Sequence, residues 1–590
     1  MIGLAVLRGE REGPCIFPER AEVEERRWRN SQTFMWWTPS SRVSAASLAQ
    51  DGDEGVQVLV VGASVQSQDS GDKRADQIAR RFINEGTKTL RLLSGEMLAL
   101  VYESKEDRLH IVTDFDGVYR SYWLHEDELT VAALRLSDIS PFVHTKRIRK
   151  QGVAEYFQFG YVPSPETIFD NVQVTAPSTL VELSSMASPL IQKRVQERDG
   201  KGRRGDPGEN VLDLVMQATE RRVLENEPVH ALLSAGYDST LCALGLRART
   251  CQAVGHVIGF ANRKDNENDS AAKILSHIGI EQNDIYISDN QMSDAFPQWV
   301  RSLGQPWAHP NGLSTRVAYQ EIAKNSESEV VVNGIGGDAL FCDLRLISRS
   351  RRKAYEFAKL RGMSFLSLGG SRLFKKLPLG QKLAKLHGLA QISPEEAMIF
   401  FNFWKGRYAA ELLGERLDVG QTLPGKALLN TRVDAEMRYA NYYSTWGYDS
   451  SMNRMVDEAA AVGLVGTSPL EDPSLWEYVE SLDASVRYPP GRDRILQTEL
   501  VHRHVPQHFF PTRKWAMETP LALLLSSKSG QDLLERYLNR PSSEASSFYG
   551  SKVVCDIWSQ FKAGRSEHAM RLWSILVFEA WFQEREDDFE

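Results

Sequence analysis

Two short segments of the chain combine glycine, hydroxyl and aspartate residues in a pattern that suits phosphate chemistry. In the first, residues 232–239, an apolar strand end is followed by Ser-Ala-Gly-Tyr-Asp-Ser and then by a helix. The N–H groups and hydroxyls of such a turn, beside a positive helix N-terminus, bind anions such as pyrophosphate. Because Asp238 would repel phosphate, it indicates an intervening cation, and Mg²⁺ binds carboxylate and phosphate oxygens together. Taken alone, the segment is equally compatible with an ordinary turn capped by serine.

The second segment, residues 331–338, reads Val-Val-Asn-Gly-Ile-Gly-Gly-Asp and again ends a predicted strand in a glycine-rich turn with an aspartate, Asp338. Two neighbouring strand ends that each offer glycine and aspartate are suited to hold one Mg²⁺–nucleotide between them. The two aspartates are 100 residues apart, and the ordered pair is more specific than either segment. The sequence therefore predicts a metal–nucleotide site.

The elements that must position these segments alternate between strand and helix. Predicted strands lie at 230–233, 253–260, 284–287 and 329–332, and predicted helices lie at 211–224, 271–277 and 316–323. Short apolar strands separated by helices predict a parallel sheet with helices on both faces. Ligands of such sheets bind beyond the carboxyl ends of the strands, so the loops after Leu233, Phe260 and Val332 are the expected site.

The first 195 residues are predicted to form a separate α+β domain with stacked sheets, which makes the whole chain a multi-domain α/β protein. Apolar runs favour strands at 56–61, 97–102 and 110–114, and the spacing of Ile78 and Phe82 favours a helix at 74–84. Residues 196–210 contain almost no apolar side chain and are predicted to be a linker. The second domain then comprises residues 211–590.

Residues 345–440 are predicted to be a helical insertion in the second domain, and the first part of this insertion is strongly basic. Between positions 345 and 385 there are twelve Lys or Arg residues and a single acid, Glu356. Such a run is either a solvated helical surface or a docking face for an anionic partner or substrate. The sequence leaves both interpretations open.

The composition favours a soluble cytoplasmic protein. The chain is 42% hydrophobic and 25% charged, and its net charge of −8 argues against binding to nucleic acid or to an anionic membrane. No apolar run approaches the ~18–20 residues that span a bilayer, and the first residues lack the pattern of a signal peptide. The five cysteines are widely spaced, so we expect reduced thiols that are buried as small hydrophobes.

The two segments resemble the Ser-Gly-Gly-x-Asp-Ser loop and the Gly-x-Gly-Gly-Asp-Glu-Leu-Phe turn of the asparagine synthetase family, which includes β-lactam synthetases and lasso-peptide cyclases. Residues 468–472, Ser-Pro-Leu-Glu-Asp, resemble the family's Pro-Phe-Leu-Asp segment, and Arg513-Lys514 resembles its Arg-x-Lys. In the N-terminal half the similar segments are 113–117, 122–123, 159–163 and 167–169. The resemblance spans roughly residues 90–525, and the region 345–440 is its least clear part.

The resemblance implies a glutaminase-like N-terminal domain of the N-terminal-nucleophile type and a synthetase domain that binds ATP. It further implies that a carboxylate is activated as its AMP ester, that pyrophosphate is released, and that an amine then attacks. By the same resemblance, Asp238 and Asp338 hold Mg²⁺, Gly334 allows close approach of the acyl-adenylate, and Lys514 neutralises charge on phosphate and on the tetrahedral oxyanion. The implied pyrophosphate ligands are Ser234, Gly236, Asp238 and Ser239, and the implied nucleotide contacts are Leu233, Val257 and Ile258, the last two against adenine.

The chain departs from the family pattern at the position of the glutaminase nucleophile. Members that hydrolyse glutamine begin Met-Cys, whereas Ile2 follows Met1 here. Because an isoleucine side chain cannot attack an amide, we expect no glutaminase activity. Cys15 stands too far into the chain to supply the α-amino nucleophile without cleavage.

Three further departures fall in the synthetase domain. Ala235 replaces the first glycine of the loop, which is tolerable if that position has negative φ, and Ala339 replaces the glutamate of the second turn. The glutamate that orients the catalytic tyrosine of β-lactam synthetases falls near Val465, with Asp457 and Glu458 a few residues earlier. This weakens a β-lactam synthetase assignment in particular, because a ligase that acts on an α-amine needs only a weak base.

The leading hypothesis is a lasso-peptide cyclase that joins an Asp or Glu side chain of a ribosomal precursor to the peptide's own N-terminal amine. A peptide precursor is then the expected partner, with a leader-peptide protease or a recognition protein beside it. The alternatives are an ammonia-dependent asparagine synthetase or a small-molecule amide ligase. A nucleotide-binding scaffold without catalysis is a third possibility, since Ala235 and Val465 alter the family pattern.

Overall fold

The computed structural model describes residues 4–8, 26–29, 33–37, 43–50, 53–62, 73–93, 95–114, 117–126, 129–139, 148–184, 187–194, 205–225, 227–250, 252–324, 328–341, 404, 407–414, 422–429, 452–487, 495–511 and 519–585. Ile2, Lys514 and the basic run 345–385 therefore lie outside the described residues. The side chain of Asp338 lies outside them as well, although its backbone is described.

The N-terminal half contains two six-stranded antiparallel sheets within its described part. The first has the strand order β10-β8-β9-β1-β3-β2 and the second the order β12-β11-β7-β6-β5-β4. The strands are β1 Leu4–Arg8, β2 Arg26–Arg29, β3 Thr33–Trp37, β4 Val43–Gln50, β5 Asp53–Val61, β6 Leu98–Glu103, β7 Arg108–Thr113, β8 Tyr122–Glu126, β9 Leu129–Ala133, β10 Val172–Val174, β11 Thr179–Ser184 and β12 Ala187–Lys193. The helices are α1 Lys73–Glu85, α2 Thr87–Arg91, α3 Leu136–Ile139 and α4 Lys150–Phe159.

The two sheets pack against each other, as the sequence predicts. Leu100 and Ile111 of the second sheet share one buried cluster with Met35 and Ala132 of the first. The other face of the second sheet is covered by α1, which buries Ile78 and Phe82. The strands predicted at 56–61, 97–102 and 110–114 correspond to β5, β6 and β7, and the helix predicted at 74–84 is confirmed with one added residue at each end.

The C-terminal half is built on a five-stranded parallel sheet of order β15-β14-β13-β16-β17. Its strands are β13 Val229–Leu233, β14 Ala253–Phe260, β15 Glu281–Ile287, β16 Val330–Asn333 and β17 Val465–Thr467. The intervening helices are α5 Pro207–Arg222, α6 Tyr237–Arg249, α7 Asn268–Ile278, α8 Asp289–Ser302, α9 Asn311–Lys324 and α10 Gly337–Phe341. The predicted parallel sheet is confirmed, and the strand order reverses between β13 and β16.

The remaining helices of the described part of this half follow β16 in sequence, some of them before β17 and the others after it. They are α11 Arg407–Leu413, α12 Leu423–Leu429, α13 Met452–Ala460, α14 Pro473–Ser481, α15 Ala484–Arg487, α16 Ile495–His504, α17 Leu521–Ser526, α18 Lys528–Leu538, α19 Ser543–Ser546, α20 Ser551–Lys562 and α21 Ala569–Gln583, with 3₁₀ turns at Pro469–Glu471, Gln507–Phe509 and Ser566–His568. None of the helices in the described part of the chain is long and apolar enough to cross a membrane.

Helix α21 joins the two halves through a shared core. It is apolar on nearly all sides and almost every residue in it is buried, which marks a central helix. The ring of Phe578 lies 5.0 Å from that of Phe157 in α4, and the Tyr156 hydroxyl donates a hydrogen bond of 2.7 Å to the carbonyl of Ser574. The halves are therefore packed together rather than merely connected.

The structure corrects two predictions made from composition. Helix α5 begins at Pro207, so the last four residues of the predicted linker form its first turn. Asp206 caps this helix by accepting a hydrogen bond of 3.0 Å from the N–H of Glu209, and proline at the first helical position adds to the start signal. Among the cysteines that the structure describes, Cys242 is buried as expected, but Cys555 is exposed on α20, so the prediction of burial is wrong there.

Candidate active site

The two glycine- and aspartate-containing segments meet at one edge of the parallel sheet. β13 and β16 are neighbours with Leu232 opposite Asn333, so the turns that follow them leave the sheet side by side. This is the point where the strand order reverses, and open α/β sheets bind their ligands in the crevice at such a point. The juxtaposition predicted from the sequence is therefore confirmed.

The first turn groups two hydroxyls around the start of helix α6. The Ser234 and Ser239 hydroxyl oxygens lie 2.9 Å apart, and the N–H of Gly236 donates a hydrogen bond of 3.2 Å to Ser234 Oγ. Gly236 is the N-cap residue, and no side chain caps the helix there. Ala235 has a negative φ, because Asp107 and Ser178 are the non-glycine residues with positive φ in the described part of the chain. Alanine can therefore replace the glycine of the family loop at this position without backbone strain.

The carboxylate of Asp238 links the first turn to the second. The side chain is only 7% exposed, and its Oδ1 accepts a hydrogen bond of 2.5 Å from Nε2 of Gln497 on α16. Gly337 lies next to the same oxygen, and an added Cβ at this glycine would come within 2.1 Å of it. Asp238 therefore lies against the backbone that leads directly into Asp338, the second predicted metal ligand.

Gly334 allows the two segments to approach each other. An added Cβ at this position would lie 2.9 Å from the backbone N of Ser239 and 3.1 Å from the carbonyl carbon of Asp238. A side chain there would push the end of β16 away from the first turn of α6. Its predicted role at the acyl-adenylate remains a prediction, and the observed close approach is between protein backbones.

The predicted nucleotide contacts lie on the neighbouring strand. Val257 of β14 is opposite Leu233, level with the start of the first turn, and Ile258 is one residue beyond. Val257 is buried in the cluster that also contains Leu233, whereas Ile258 packs on the cluster of the opposite face. Since successive residues of a strand point to opposite faces, Val257 and Ile258 cannot both contact one adenine ring with their side chains.

The 3₁₀ turn Pro469–Glu471 supplies a second buried carboxylate beside the glycine turn. Glu471 is 1% exposed, and a Cβ added to Gly336, whose φ is +95°, would lie 1.8 Å from its Oε1. The Ser468 hydroxyl donates a hydrogen bond of 2.7 Å to the carbonyl of Ile335. Glu471 occupies the position at which the family's Pro-Phe-Leu-Asp segment has leucine. A carboxylate at a position that is apolar in the family was the sequence signal that could have identified Glu471.

The position expected for an orienting glutamate holds no carboxylate. Val465 is buried in β17 opposite Val330. Upstream, Glu458 is 1% exposed and its two oxygens are held separately: Oε1 accepts a hydrogen bond of 2.9 Å from Trp299 Nε1, and Oε2 pairs with Arg316 Nη2 at 2.5 Å. Both oxygens of Glu458 are therefore held by core side chains, and Glu458 does not replace the missing glutamate.

A buried ionic network connects this region to the N-terminal half. Glu96, from the turn before β6, accepts a hydrogen bond of 2.5 Å from Arg222 Nε and bonds of 3.0 Å from the hydroxyl of Thr467. Arg222 Nη1 also donates a bond of 2.9 Å to Asp472, which pairs with Arg221 at 2.7 Å. Burial works to raise the pKa of Asp472, but the two guanidinium groups outweigh it and the pKa lies below its usual value.

The chemistry of these donors fits a Mg²⁺–nucleotide. Hydroxyls and N–H groups are suited to phosphate oxygens, and Asp238 offers the hard oxygen that Mg²⁺ prefers. Within the described residues no group of three or more His, Cys, Asp or Glu side chains could hold a metal ion by itself. Mg²⁺ usually keeps water and phosphate oxygens and needs only one or two carboxylates, so Asp238 and Asp338 would suffice for such a site.

Comparison with known proteins gives the family of this chain. The family model for asparagine synthase matches residues 210–583, which is more than half of the chain. The chain belongs to the asparagine synthase family. It is 23% identical over 462 residues to a protein of Mycobacterium tuberculosis described as a glutamine-hydrolysing asparagine synthetase, with 74% of this chain and 67% of that protein covered. Asparagine synthetase 1 of Bacillus subtilis, also glutamine-hydrolysing, is 19% identical over 533 residues, with 85% and 79% covered.

Membership of the asparagine synthase family defines the class of reaction. Its members are ATP-dependent carbon–nitrogen ligases, and the chain is an enzyme of this class. The family model includes both glycine–aspartate segments and ends within α21. Gln497 was missed from the sequence because it lies 259 residues from Asp238 and belongs to no recognisable pattern. Lys514 lies outside the described residues, so its predicted role stays a prediction.

Proposed function

We propose that this ligase adenylates an Asp or Glu side chain of a ribosomal peptide and joins it to the N-terminal amine of the same peptide, as lasso-peptide cyclases do. In the first step a carboxylate oxygen attacks the α-phosphorus of ATP and pyrophosphate leaves. In the second step the amine attacks the acyl carbon, AMP leaves, and the amine loses a proton. The product is an isopeptide macrolactam.

The observation that carries this proposal is the apolar character of position 465. A poorly nucleophilic nitrogen needs an oriented base, whereas a peptide α-amine, with a pKa of roughly 7.7–8.0, needs only a weak one. Val465 is buried among apolar residues of the N-terminal half, including Trp123 and Leu134. Glu458 is held by Trp299 and Arg316. An amine that is already partly unprotonated at neutral pH suits such a site.

The roles of the protein groups follow from their chemistry. Ser234, Ser239 and the N–H of Gly236 would bind the pyrophosphate portion of ATP, and Asp238 with Asp338 would hold Mg²⁺. The cation supplies positive charge that stabilises the developing pyrophosphate. Lys514 would add a second positive charge at the phosphate and at the oxyanion of the amide-forming step.

Ile2 further supports a substrate that brings its own amine. It precedes β1 and carries a hydrocarbon side chain where a glutaminase needs a thiol nucleophile. The relatives are described as glutamine-hydrolysing enzymes, whereas the proposed substrate supplies its own amine. An ammonia-dependent asparagine synthetase is the second candidate, which the names of these relatives favour.

The test compares three substrate sets in the presence of ATP and Mg²⁺. The first is the peptide encoded by a short reading frame beside the gene, freed of any leader; the second is the same peptide with an acetylated N-terminus; the third is aspartate with ammonium. We expect pyrophosphate release with both peptides, and loss of one water from the free peptide only. Asparagine formation without any reaction of the peptides would overturn the proposal in favour of the second candidate.

A further inference from the structure

We propose that Gln497 is a positioning residue for the metal-binding carboxylate of Asp238. Its amide group fixes the orientation of that carboxylate without neutralising its charge. This inference rests on the proposed function, in which Asp238 holds Mg²⁺ beside the pyrophosphate of ATP. The proposal adds α16, which lies far along the chain from Asp238, to the elements that position the metal ligand.

The hydrogen bond between Gln497 and Asp238 is short and buried. Gln497 is completely buried and Asp238 is 7% exposed, and Nε2 donates to Oδ1 over 2.5 Å. A hydrogen bond to an ionised acceptor is stronger than one between neutral groups, particularly where water is excluded. Fixing Oδ1 in this way fixes the plane of the whole carboxylate, including Oδ2.

A second restraint acts on the same carboxylate. A Cβ on Gly337 would lie 2.1 Å from Oδ1 and 2.6 Å from Cγ of Asp238, so the carboxylate occupies the space that any larger residue would fill. Asp238 is therefore held between a side-chain amide and a glycine backbone. Two such restraints together favour a single rotamer, which a metal ligand requires.

Helix α16 is itself fixed against the first turn of α6. The Tyr237 hydroxyl and His502 Nε2 lie 3.1 Å apart, and the ring of Tyr237 stacks on Phe510 with centroids 4.5 Å apart. Tyr237 immediately precedes Asp238, and His502 lies five residues after Gln497. The distance between Gln497 and Asp238 is thus set by contacts on both elements and does not depend on a single hydrogen bond.

The other end of the Gln497 amide points to a ligand. Its Oε1 is buried and has no hydrogen-bond partner among the residues that the structure describes. A buried carbonyl without a donor is costly, and a bound ion or its water is one of the recognised explanations for such a group in a native protein. A neutral amide next to a carboxylate also preserves the negative charge that attracts the cation, whereas a lysine or arginine would cancel it.

The experiment measures metal binding directly and separately from turnover. Mn²⁺ serves as the probe, and its binding to the full-length protein is followed by electron paramagnetic resonance with a non-hydrolysable ATP analogue present. Gln497→Met keeps the length of the side chain but removes the donor. Glu499→Gln is the matched control, because Glu499 is exposed on the same helix. We expect Gln497→Met to weaken Mn²⁺ binding about tenfold, and the control to bind like the wild type.

Gly337→Ala perturbs the same carboxylate through a second residue. It keeps the proposal testable if Gln497→Met fails to fold. Alanine favours a helix, so α10 should not suffer, yet its methyl group must displace the Asp238 carboxylate. We expect the same weakening of Mn²⁺ binding in the folded variant. Wild-type Mn²⁺ affinity in folded Gln497→Met and Gly337→Ala would overturn the positioning role. If the wild-type protein itself bound no Mn²⁺ with the analogue, the proposed metal site, and with it the proposed function, would be at fault.

Discussion

Glu96 of the N-terminal half accepts a hydrogen bond of 2.5 Å from Nε of Arg222, which lies 126 residues later in the chain on the first helix of the ligase half. Both side chains are almost completely buried. Burial by itself would lower the pKa of Arg222, but Glu96 and Asp472 outweigh it and raise the pKa, so the guanidinium stays charged. One buried cation thus bridges a carboxylate of each half.

Replacing Arg222 with methionine should destabilise the protein by about 3–5 kcal/mol, because it leaves the two carboxylates without their counter-charge. The comparison is Arg80→Met, which breaks the exposed pair of Arg80 with Asp76 on α1 and should change stability little. Urea unfolding followed by circular dichroism and by tryptophan fluorescence measures both. Equal midpoints for the two variants would contradict a structural role for the bridge.

Asp238→Asn should reduce ATP–pyrophosphate exchange by at least about 100-fold, because the metal loses a charged ligand and several kcal/mol of stabilisation. Asparagine keeps an oxygen for Gln497, so the buried site retains its packing. Asp338→Ala is expected to have the same effect. Asp269→Asn, at an exposed aspartate on α7, is the control, and exchange activity at wild-type level in either site variant would remove that residue from the metal site.

Glutamine should not serve as a nitrogen donor. Ile2 offers no nucleophile for the amide, so glutamate should not accumulate when enzyme, ATP and glutamine are mixed. Amino-acid chromatography against a sample without enzyme measures this. We do not expect Ile2→Cys to restore the activity, since the rest of a glutaminase pocket need not be present. Glutamate above the background of the enzyme-free sample would contradict the prediction.

The paired histidines on the sheet should make stability depend on pH. Burial, with a smaller contribution from His230, lowers the pKa of His256 to about 4, and the two ring nitrogens lie 2.8 Å apart. A folded pKa below the unfolded value of ~6.5 means that this contribution to stability is complete above pH ~6.5 and is lost as pH falls towards 4.

The free energy of unfolding falls between pH 6.5 and pH 4, and His256→Gln should therefore make this fall smaller by about 2–3 kcal/mol. The measurement is urea unfolding at a series of pH values. A His256→Gln profile parallel to that of the wild type would show that the histidine pair does not titrate on unfolding.

The basic run 345–385 should matter for a large acidic substrate and not for ATP. Charge fields of this kind act mainly on association. Reversing Arg351, Arg352, Lys375 and Lys376 should weaken peptide capture while the KM for ATP barely moves. Physiological salt should mimic the change, because exposed charges more than ~8–10 Å apart are screened.

The control for the basic run reverses four exposed charges on the C-terminal helices and the turn that follows them, namely Lys528, Lys552, Lys562 and Arg565. Steady-state kinetics at two salt concentrations separates the cases. Unaltered peptide capture in the 345–385 variant would favour a solvated surface. Loss of ATP affinity alone would mean that the run lies near the nucleotide and not at a docking face.

Much of the ligase half could be predicted because its signals are local. Strands β13, β14 and β16 are apolar runs that end in turns, and their parallel pairing follows from the helices between them. Strand β17 was not predicted, since it has three residues and joins the sheet about 130 residues after β16. Its place is set by packing against the N-terminal half, which no short window of sequence records.

The site shows the same division between local and distant signals. The turns that hold Asp238 and Gly334 were visible as patterns, and they lie together as expected. Gln497 and the bridge between Glu96 and Arg222 were not visible, because each contact joins residues more than 100 positions apart through a single polar pair. Such pairs leave no periodicity or spacing in the sequence.

The core shared through α21 constrains how this chain can change over evolutionary time. Phe157 and Tyr156 contact α21, and the Tyr119 hydroxyl donates to the carbonyl of Gly466 in β17, so selection for ligase activity acts on these positions of the N-terminal half as well. Substitutions at this interface are therefore penalised through the stability of the ligase half itself. Deleting the N-terminal half would not leave a smaller working ligase, because it would expose the surfaces of α21 and β17 that are now buried against that half.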